Sequence, residues 1–181
     1  MKKLLILPLL VVIACLLAGA YGVLHDQFTY SISKEYYTKF KFRQFGLLHS
    51  PLPARAMVSI VGFGATWWMG LIIGLLVGAV GFIHSGPRRM LIVSLRSLVL
   101  VIAVSLLVGL AGLAYGFFRT TTFDLASYRG WFIPPGLEEP RRFLLVGYMH
   151  NASYLGGALS IVVAWIYHFR VRRQDRLRGG D

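Results

Sequence analysis

Four long apolar runs alternate with polar and basic segments along the chain. The first run, residues 4–24, carries no charge, and a helix of that length is about 31 Å long, enough to cross the hydrocarbon core of a bilayer. The pattern predicts an all-α membrane protein, a four-transmembrane-helix bundle that forms one integral membrane domain over residues 1–181. The predicted segments are helices at about 4–24, 57–83, 91–118 and 143–169, loops at about 25–55 and 119–142, and a basic tail at 170–181.

The first run is also compatible with two kinds of processing. Two lysines at its start and small residues at positions 18–20 are typical of a cleavable signal peptide. The residues before Cys15 are typical of a lipoprotein site, at which the thiol accepts a lipid. The apolar run continues through residues 21–24 without a polar linker, which favours a retained helix. All three interpretations place the next segment on the extracytoplasmic side.

The composition indicates that the solvent of this chain is lipid. Hydrophobic residues make up 56% of the chain and charged residues 14%, whereas soluble domains carry about 25% charged residues. The net charge of +12 comes from basic residues at the ends of the apolar runs, where they meet anionic headgroups. No long basic face remains to follow a phosphate backbone, so no nucleic-acid partner is expected. The single cysteine excludes an intrachain disulfide.

The placement of basic residues predicts the orientation of the chain. Short cytoplasmic segments carry an excess of Lys and Arg. The densest basic clusters are Arg88 with Arg89 in the second connection and the arginines of the tail, whereas the two long loops mix basic with acidic residues. Both termini are therefore predicted to be cytoplasmic, with the tail bound to anionic lipids.

Small residues recur at every fourth position of the second run, namely Gly62, Thr66, Gly70, Gly74 and Gly78. Membrane helices associate through close contact at small residues. This stripe, together with Gly109 and Gly156 in the later runs, is therefore predicted to pack helices against one another. The pattern fits contacts inside the bundle and leaves open a homo-oligomer.

The two predicted outer loops are rich in aromatic residues. In the first loop, Phe28, Tyr30 and Ile32 alternate with polar residues. This pattern favours a short extended ribbon or a cap lying on the membrane surface. In the second loop, the Trp-Phe-Ile-Pro-Pro segment at residues 131–135 is typical of an interfacial anchor. The loops together predict a short extracytoplasmic aromatic cap.

Several polar side chains lie near the outer ends of the first and fourth helices. His25 and Asp26 follow the first apolar run, and His150 and Asn151 lie about two turns into the fourth, so these groups are predicted to converge at one depth. Imidazole and carboxylate are ordinary ligands of a divalent transition metal. The candidate ligand or metal-binding residues are His25, Asp26, Glu35, His150, Asn151 and Tyr154, with His25 and His150 as the leading metal ligands and His49 as a further neighbour.

The same residues are compatible with two other interpretations. One is a structural cluster of buried hydrogen bonds, because buried polar groups need partners. The other is a catalytic acid–base site. The sequence alone leaves all three interpretations open.

Two segments carry a family resemblance: HDQFTYSISKEY at residues 25–36 and MHNASYLGG at residues 149–157. Together they resemble a group of uncharacterised bacterial four-span membrane proteins. The resemblance implies a protein of the bacterial envelope, in the inner membrane. It implies no activity and no mechanism.

Sequence motifs for enzyme chemistry are missing. The chain has no glycine-rich phosphate loop, no nucleophile elbow and no carboxylate pair on one helix face. The first functional expectation is a non-enzymatic accessory, scaffold or assembly component with a membrane-protein partner. The alternative is a metal- or small-ligand-binding membrane protein, for transport or redox work, that uses the His/Asp/Asn group.

Overall fold

Four long helices make up most of the chain. The computed structural model describes residues 2–122 and 124–179, so the parts of the predicted domain, second loop and tail at residues 1, 123, 180 and 181 lie outside the described residues. The helices are α1 (Lys2–Ile32), α2 (Ala54–Gly81), α3 (Pro87–Arg119) and α4 (Pro140–Leu177). Each is long and apolar enough to cross a membrane, and no strand occurs in the described ranges. The predicted all-α four-helix bundle is confirmed, and the chain is a multi-pass membrane protein.

Two helices extend well past the predicted spans. α1 continues beyond residue 24 to Ile32, and α4 continues beyond residue 169 into the basic segment, to Leu177. The added turns of α1 are stabilised by burial on one face, because His25, Asp26, Thr29 and Tyr30 lie at helical spacing and are all buried. Tertiary burial therefore decides the conformation of this polar segment.

The segment after α1 is also helical, so the predicted extended ribbon is wrong. Tyr36–Lys41 forms a π-helix, and Phe42–Gln44 adds a short helical turn. Tyr36, Tyr37 and Phe42 are buried in an aromatic cluster with side chains of α2 and α4. We call this end of the bundle, with residues 33–53 and 120–139, the cap end. The opposite end, with residues 82–86 and 170–179, is the tail end.

The bundle consists of two antiparallel helix pairs, α1 with α2 and α3 with α4. In the first pair, a Cβ atom on Gly62 would lie 2.6 Å from the carbonyl carbon of Gly22, and one on Gly74 would lie 2.8 Å from a Cα atom of α1. Gly70 and Gly78 face the same helix. The absence of these side chains allows α1 and α2 to approach closely.

The second pair also uses small residues at its interface. A Cβ atom on Gly109 would collide with Ser153, and one on Gly156 would lie 2.9 Å from the Cβ atom of Val108. The glycines of α2, α3 and α4 therefore all serve contacts within this chain. Two rigid pairs result, and polar side chains connect them.

The start of α1 and the end of α4 both lie at the tail end. Near the start of α1, Lys3 Nζ donates hydrogen bonds to the backbone carbonyls of Phe82 and His84 in the connection between α2 and α3. Near the end of α4, Asp175 accepts two hydrogen bonds from Arg89, at 2.8 and 2.6 Å. These contacts hold the start of α1 to the connection between α2 and α3, and the end of α4 to the first turn of α3.

Candidate functional site

A polar cluster lies where the last third of α1 meets α4, near the cap end. His25 and Asp26 are adjacent on α1, and His150 comes from α4. Their exposed fractions are 8%, 2% and 6%, so water is largely excluded from all three side chains. The structure thus brings together three of the four residues that sequence analysis placed at one depth.

Asp26 lies between the two histidines. Its Oδ1 atom is 3.1 Å from His25 Nδ1 and 3.7 Å from His150 Nε2. One ligand atom from each residue lies within 4.8 Å of the other two. Two ligands bound at about 2.1 Å to one tetrahedral metal are about 3.4 Å apart. The two distances from Asp26 therefore bracket the spacing of a metal's ligands.

The second carboxylate oxygen of Asp26 has no partner. Asp26 Oδ2 is buried and receives no hydrogen bond within the part of the chain that the structure describes. Leaving a buried acceptor unsatisfied costs about 1–3 kcal/mol, and more for a charged group. The cluster therefore presents an open acceptor beside two imidazole rings, a position suited to a cation or a hydrogen-bond donor.

Hydroxyl groups hold the two imidazole rings in place. Ser153 Oγ lies 3.2 Å from His25 Nε2. Thr29 Oγ1 lies 3.4 Å from His150 Nε2 and 2.6 Å from the hydroxyl of Tyr37. The two rings meet edge to face, with centroids 4.6 Å apart. Ser153 contacts the ring nitrogen of His25 that faces away from Asp26, as the outer partner of a metal-bound histidine does, whereas Thr29 contacts the His150 nitrogen that faces Asp26.

The aromatic cap covers the cluster. The Tyr36 ring stacks on His150 with centroids 4.9 Å apart. Burial raises the pKa of Tyr36 and of Tyr37 well above the usual tyrosine range, and the charge of Asp26 adds to both shifts. Burial lowers the pKa of Lys41, against the opposing effect of Asp26. The cap therefore surrounds the cluster with protonated phenols and one buried amine.

Glu35 does not join the cluster, which corrects the predicted ligand set. Its carboxylate accepts hydrogen bonds from the backbone N–H groups of Glu138 and Glu139, at 3.1 and 2.8 Å. It also pairs with Lys39 at 2.5 Å. Glu35 thus binds the two residues that precede α4 to the cap.

Asn151 also points away from the cluster. It is exposed on the outer face of the bundle, because successive residues of a helix are rotated by about 100° and His150 takes the inward position. Tyr154, one turn further along α4, lies below the cluster and donates a hydrogen bond to the carbonyl of Ala65 at 3.1 Å. His49 is exposed in the loop before α2. Of the six candidates, the structure brings His25, Asp26 and His150 together.

Sequence analysis missed Thr29, Tyr36 and Tyr37 as neighbours of the site. Thr29 follows His25 by four residues and so shares its helix face, a signal that was available in the sequence. Tyr36 and Tyr37 return over the cluster only because the chain turns at residue 33 into the π-helix. Their placement depends on that turn, which no local sequence pattern predicted.

A cavity of about 70 Å³ lies below the cluster, between the two helix pairs. Its walls come from all four helices, and the surface that they present to the cavity is mostly apolar. His25, Asp26 and His150 border its cap end, together with Tyr21, Ser153 and Tyr154. The site is therefore a polar centre at one end of an apolar cavity.

No family model, curated protein or solved structure matches this chain. The resemblance to bacterial four-span proteins stays a prediction. The function must therefore be argued from the geometry and chemistry of the site.

Proposed function

We propose that this membrane protein binds one divalent transition-metal ion through His25, Asp26 and His150. The observation that carries the proposal is that three ligand atoms lie within 4.8 Å of one another, next to a buried carboxylate oxygen that receives no hydrogen bond from the described residues. Two imidazoles and one carboxylate form a ligand set suited to Zn²⁺ or Fe²⁺. A cation at this position would satisfy the open acceptor of Asp26.

The chemistry of the site suits ligand exchange. Three protein ligands leave at least one coordination position open, as in metal sites that bind water or substrate. An ionised Asp26 offsets one of the two positive charges of the metal. A bound hydroxide or an anionic group of a substrate would offset the second. Ser153, which contacts the ring nitrogen of His25 that faces away from Asp26, would orient that ring toward the metal.

For the orientation, we propose a bacterial inner membrane with the cap on the extracytoplasmic side and both termini in the cytoplasm. Arg170, Arg173, Arg176 and Arg178 are exposed at the tail end. Such a cluster attracts anionic lipids of the cytoplasmic leaflet, and basic residues flanking spans favour that side.

The test is the metal content of protein purified in mild detergent, without chelator and with an affinity tag that contains no histidine. Elemental analysis of the wild type is compared with Asp26→Asn and His150→Ala, and stripped protein is reloaded with Zn²⁺. His49→Ala is the matched control, since His49 is an exposed loop histidine. Gel filtration confirms that each variant is folded.

We expect about one metal ion per chain in the wild type and in His49→Ala. Loss of a ligand is expected to lower Zn²⁺ affinity by at least the roughly 10- to 100-fold seen on loss of an outer partner. Equal metal in all four folded proteins, or failure of the wild type to take up Zn²⁺, would leave the cluster as a structural hydrogen-bond network.

A second candidate function is a non-enzymatic accessory or assembly component. The observation that favours it is Asn151, whose amide is exposed among lipid-facing apolar residues of α4 and has no hydrogen-bond partner within the described residues. Amide side chains at this depth associate membrane helices by hydrogen bonding across the interface. Native mass spectrometry of wild type and Asn151→Leu in mild detergent separates the outcomes. A monomer in both would exclude self-association through this face.

A further inference from the structure

The cavity below the cluster has room for one very small molecule. Its volume is about 70 Å³. A cavity of about 150 Å³ holds one benzene, which has six heavy atoms, so each heavy atom takes up roughly 25 Å³. Two heavy atoms then need roughly 50 Å³, whereas a ring or a lipid chain needs far more than the cavity offers. The volume therefore limits the occupant to a molecule of about two heavy atoms.

The surface of the cavity favours an apolar occupant. Toward the tail end it is lined by aliphatic side chains such as Ile73 and Leu98. The hydroxyl groups of Thr66, Ser105 and Tyr154 also belong to lining residues, but each donates its hydrogen to a backbone carbonyl of the bundle. A buried water makes about three hydrogen bonds, which the aliphatic part of the cavity does not provide. A small apolar molecule fits both the volume and the lining.

The cap end of the cavity borders the proposed metal site, so an occupant lies next to His25, Asp26 and His150. Three protein ligands leave at least one coordination position open for another ligand. Two imidazoles and one carboxylate with open positions are the ligand set of non-haem iron(II) oxygenases, which bind dioxygen. An apolar gas dissolves better in hydrocarbon than in water, and the four helices that form the walls cross the membrane. Lipid can therefore supply the cavity with such a gas.

We propose that the cavity holds one molecule of a small apolar gas, dioxygen, and presents it to a metal ion bound by His25, Asp26 and His150. The gas binds as an intact molecule and reaches the site through lipid. Its contact with a metal rests on the proposed function. Its occupancy of the cavity rests on the volume and the lining alone.

Paramagnetic dioxygen is itself the probe of occupancy. It speeds the relaxation of the methyl nuclei that it approaches, which NMR measures residue by residue in methyl-labelled, metal-free protein in bicelles under dioxygen pressure. Ile73 and Leu98 line the cavity, whereas Val77, one turn from Ile73, is buried without lining it. We expect dioxygen to enhance relaxation at Ile73 and Leu98 above its effect at Val77.

Matched variants on α3 separate the cavity from the surrounding lipid. Val101 lines the cavity and is 6% exposed, whereas Val99 is 64% exposed on the same helix. Val101→Met fills part of the cavity with a flexible side chain that cores tolerate, and Val101→Phe fills it with a ring. Val99→Met and Val99→Phe make the same changes toward lipid. The excess relaxation at Ile73 and Leu98 should be lost in the Val101 variants and kept in the Val99 variants.

Nitric oxide is the probe of contact with the metal. It is a two-atom apolar gas that binds iron(II) and gives a characteristic high-spin signal in electron paramagnetic resonance. Protein loaded with Fe²⁺ under anaerobic conditions is exposed to nitric oxide. We expect the signal in the wild type and in His49→Ala, and its loss in Asp26→Asn.

Two results would overturn the inference. One is relaxation at Ile73 and Leu98 that does not exceed that at Val77, or an excess that survives in folded Val101→Met and Val101→Phe. The other is a folded wild type that holds Fe²⁺ and gives no nitric oxide signal. Failure of the proposed function looks different: a protein that takes up no metal but keeps the excess relaxation would refute the metal site and the delivery of gas to it, and would support the gas cavity.

Discussion

The contact of Gly62 with α1 offers a sharp test of how the site is held. A Cβ atom added at Gly62 would lie 2.6 Å from the carbonyl carbon of Gly22 and 2.9 Å from the backbone nitrogen of Val23. Carbon atoms in favourable contact are about 3.5–4.0 Å apart. Because the colliding atoms are backbone, they cannot rotate away. Gly62→Ala therefore forces α1 and α2 apart by about 1 Å along this seam.

The cost of that displacement can be bounded. A gap of about 0.5–1 Å removes a quarter to a half of the attraction between facing atoms, and overpacking typically costs about 1–3 kcal/mol. Alanine is more stable than glycine within a helix by about 0.5–1 kcal/mol, which offsets part of this cost. The free energy of unfolding is therefore expected to fall by about 1–2 kcal/mol.

Gly64→Ala is the matched control, two residues along the same helix. A Cβ atom there would meet only the ring edge of Phe45, at 3.0 Å, and that ring can move. Unfolding is followed by helical circular dichroism during titration with SDS in mixed micelles. Chelator is present throughout, so that metal binding does not contribute. A Gly62→Ala protein as stable as wild type, or a Gly64→Ala protein equally destabilised, would refute the close-packed seam.

Two further predictions concern the ends of the bundle. Glu35→Ala removes the hydrogen bonds from the backbone N–H groups of Glu138 and Glu139 and should cost about 1 kcal/mol, as loss of a typical hydrogen bond does. Metal content should stay unchanged, and loss of metal would show that Glu35 takes part in metal binding. Burial lowers the pKa of His84 from its usual 6.5, with Asp175 opposing and Arg89 reinforcing the shift. Protonation therefore favours the unfolded state, so stability should be complete above about pH 6.5 and should fall as the pH drops below it. In unfolding titrations at pH 7.5 and pH 5, His84→Gln should reduce this loss, and an unchanged loss would assign it to other groups.

The sequence was sufficient to predict the four helices. In lipid, a long apolar run must satisfy its backbone hydrogen bonds internally, and a helix does so within a single segment. The sequence also predicted the approach of His25 and Asp26 to His150, since an up-and-down topology places the end of α1 and the start of α4 at the same face. The position of a residue within an apolar run predicts its depth in the membrane. That depth was enough to predict that His25, Asp26 and His150 lie close together.

The incorrect predictions concerned two features: which side of a helix a residue faces, and the local conformation of the first loop. Asn151 has the same depth as His150, but one step of rotation turns it outward, and a stretch that is apolar on all sides gives no signal of the inward face. Phe28, Tyr30 and Ile32 alternate as in a strand, but the same segment also carries His25, Asp26 and Thr29 at helical spacing. Burial of the helical set decided between the two periods, and burial depends on partners distant in sequence.

The architecture also predicts how metal binding would act on the bundle. His25 and Asp26 belong to the first helix pair and His150 to the second, so a metal ion bound to all three would join the pairs. The close glycine contacts lie within each pair, so the metal would add its contacts at the seam between them. A metal ion that binds only the folded protein raises the free energy of unfolding as its concentration rises above the dissociation constant. Added Zn²⁺ should therefore stabilise the wild type against unfolding, and this gain should be absent in Asp26→Asn.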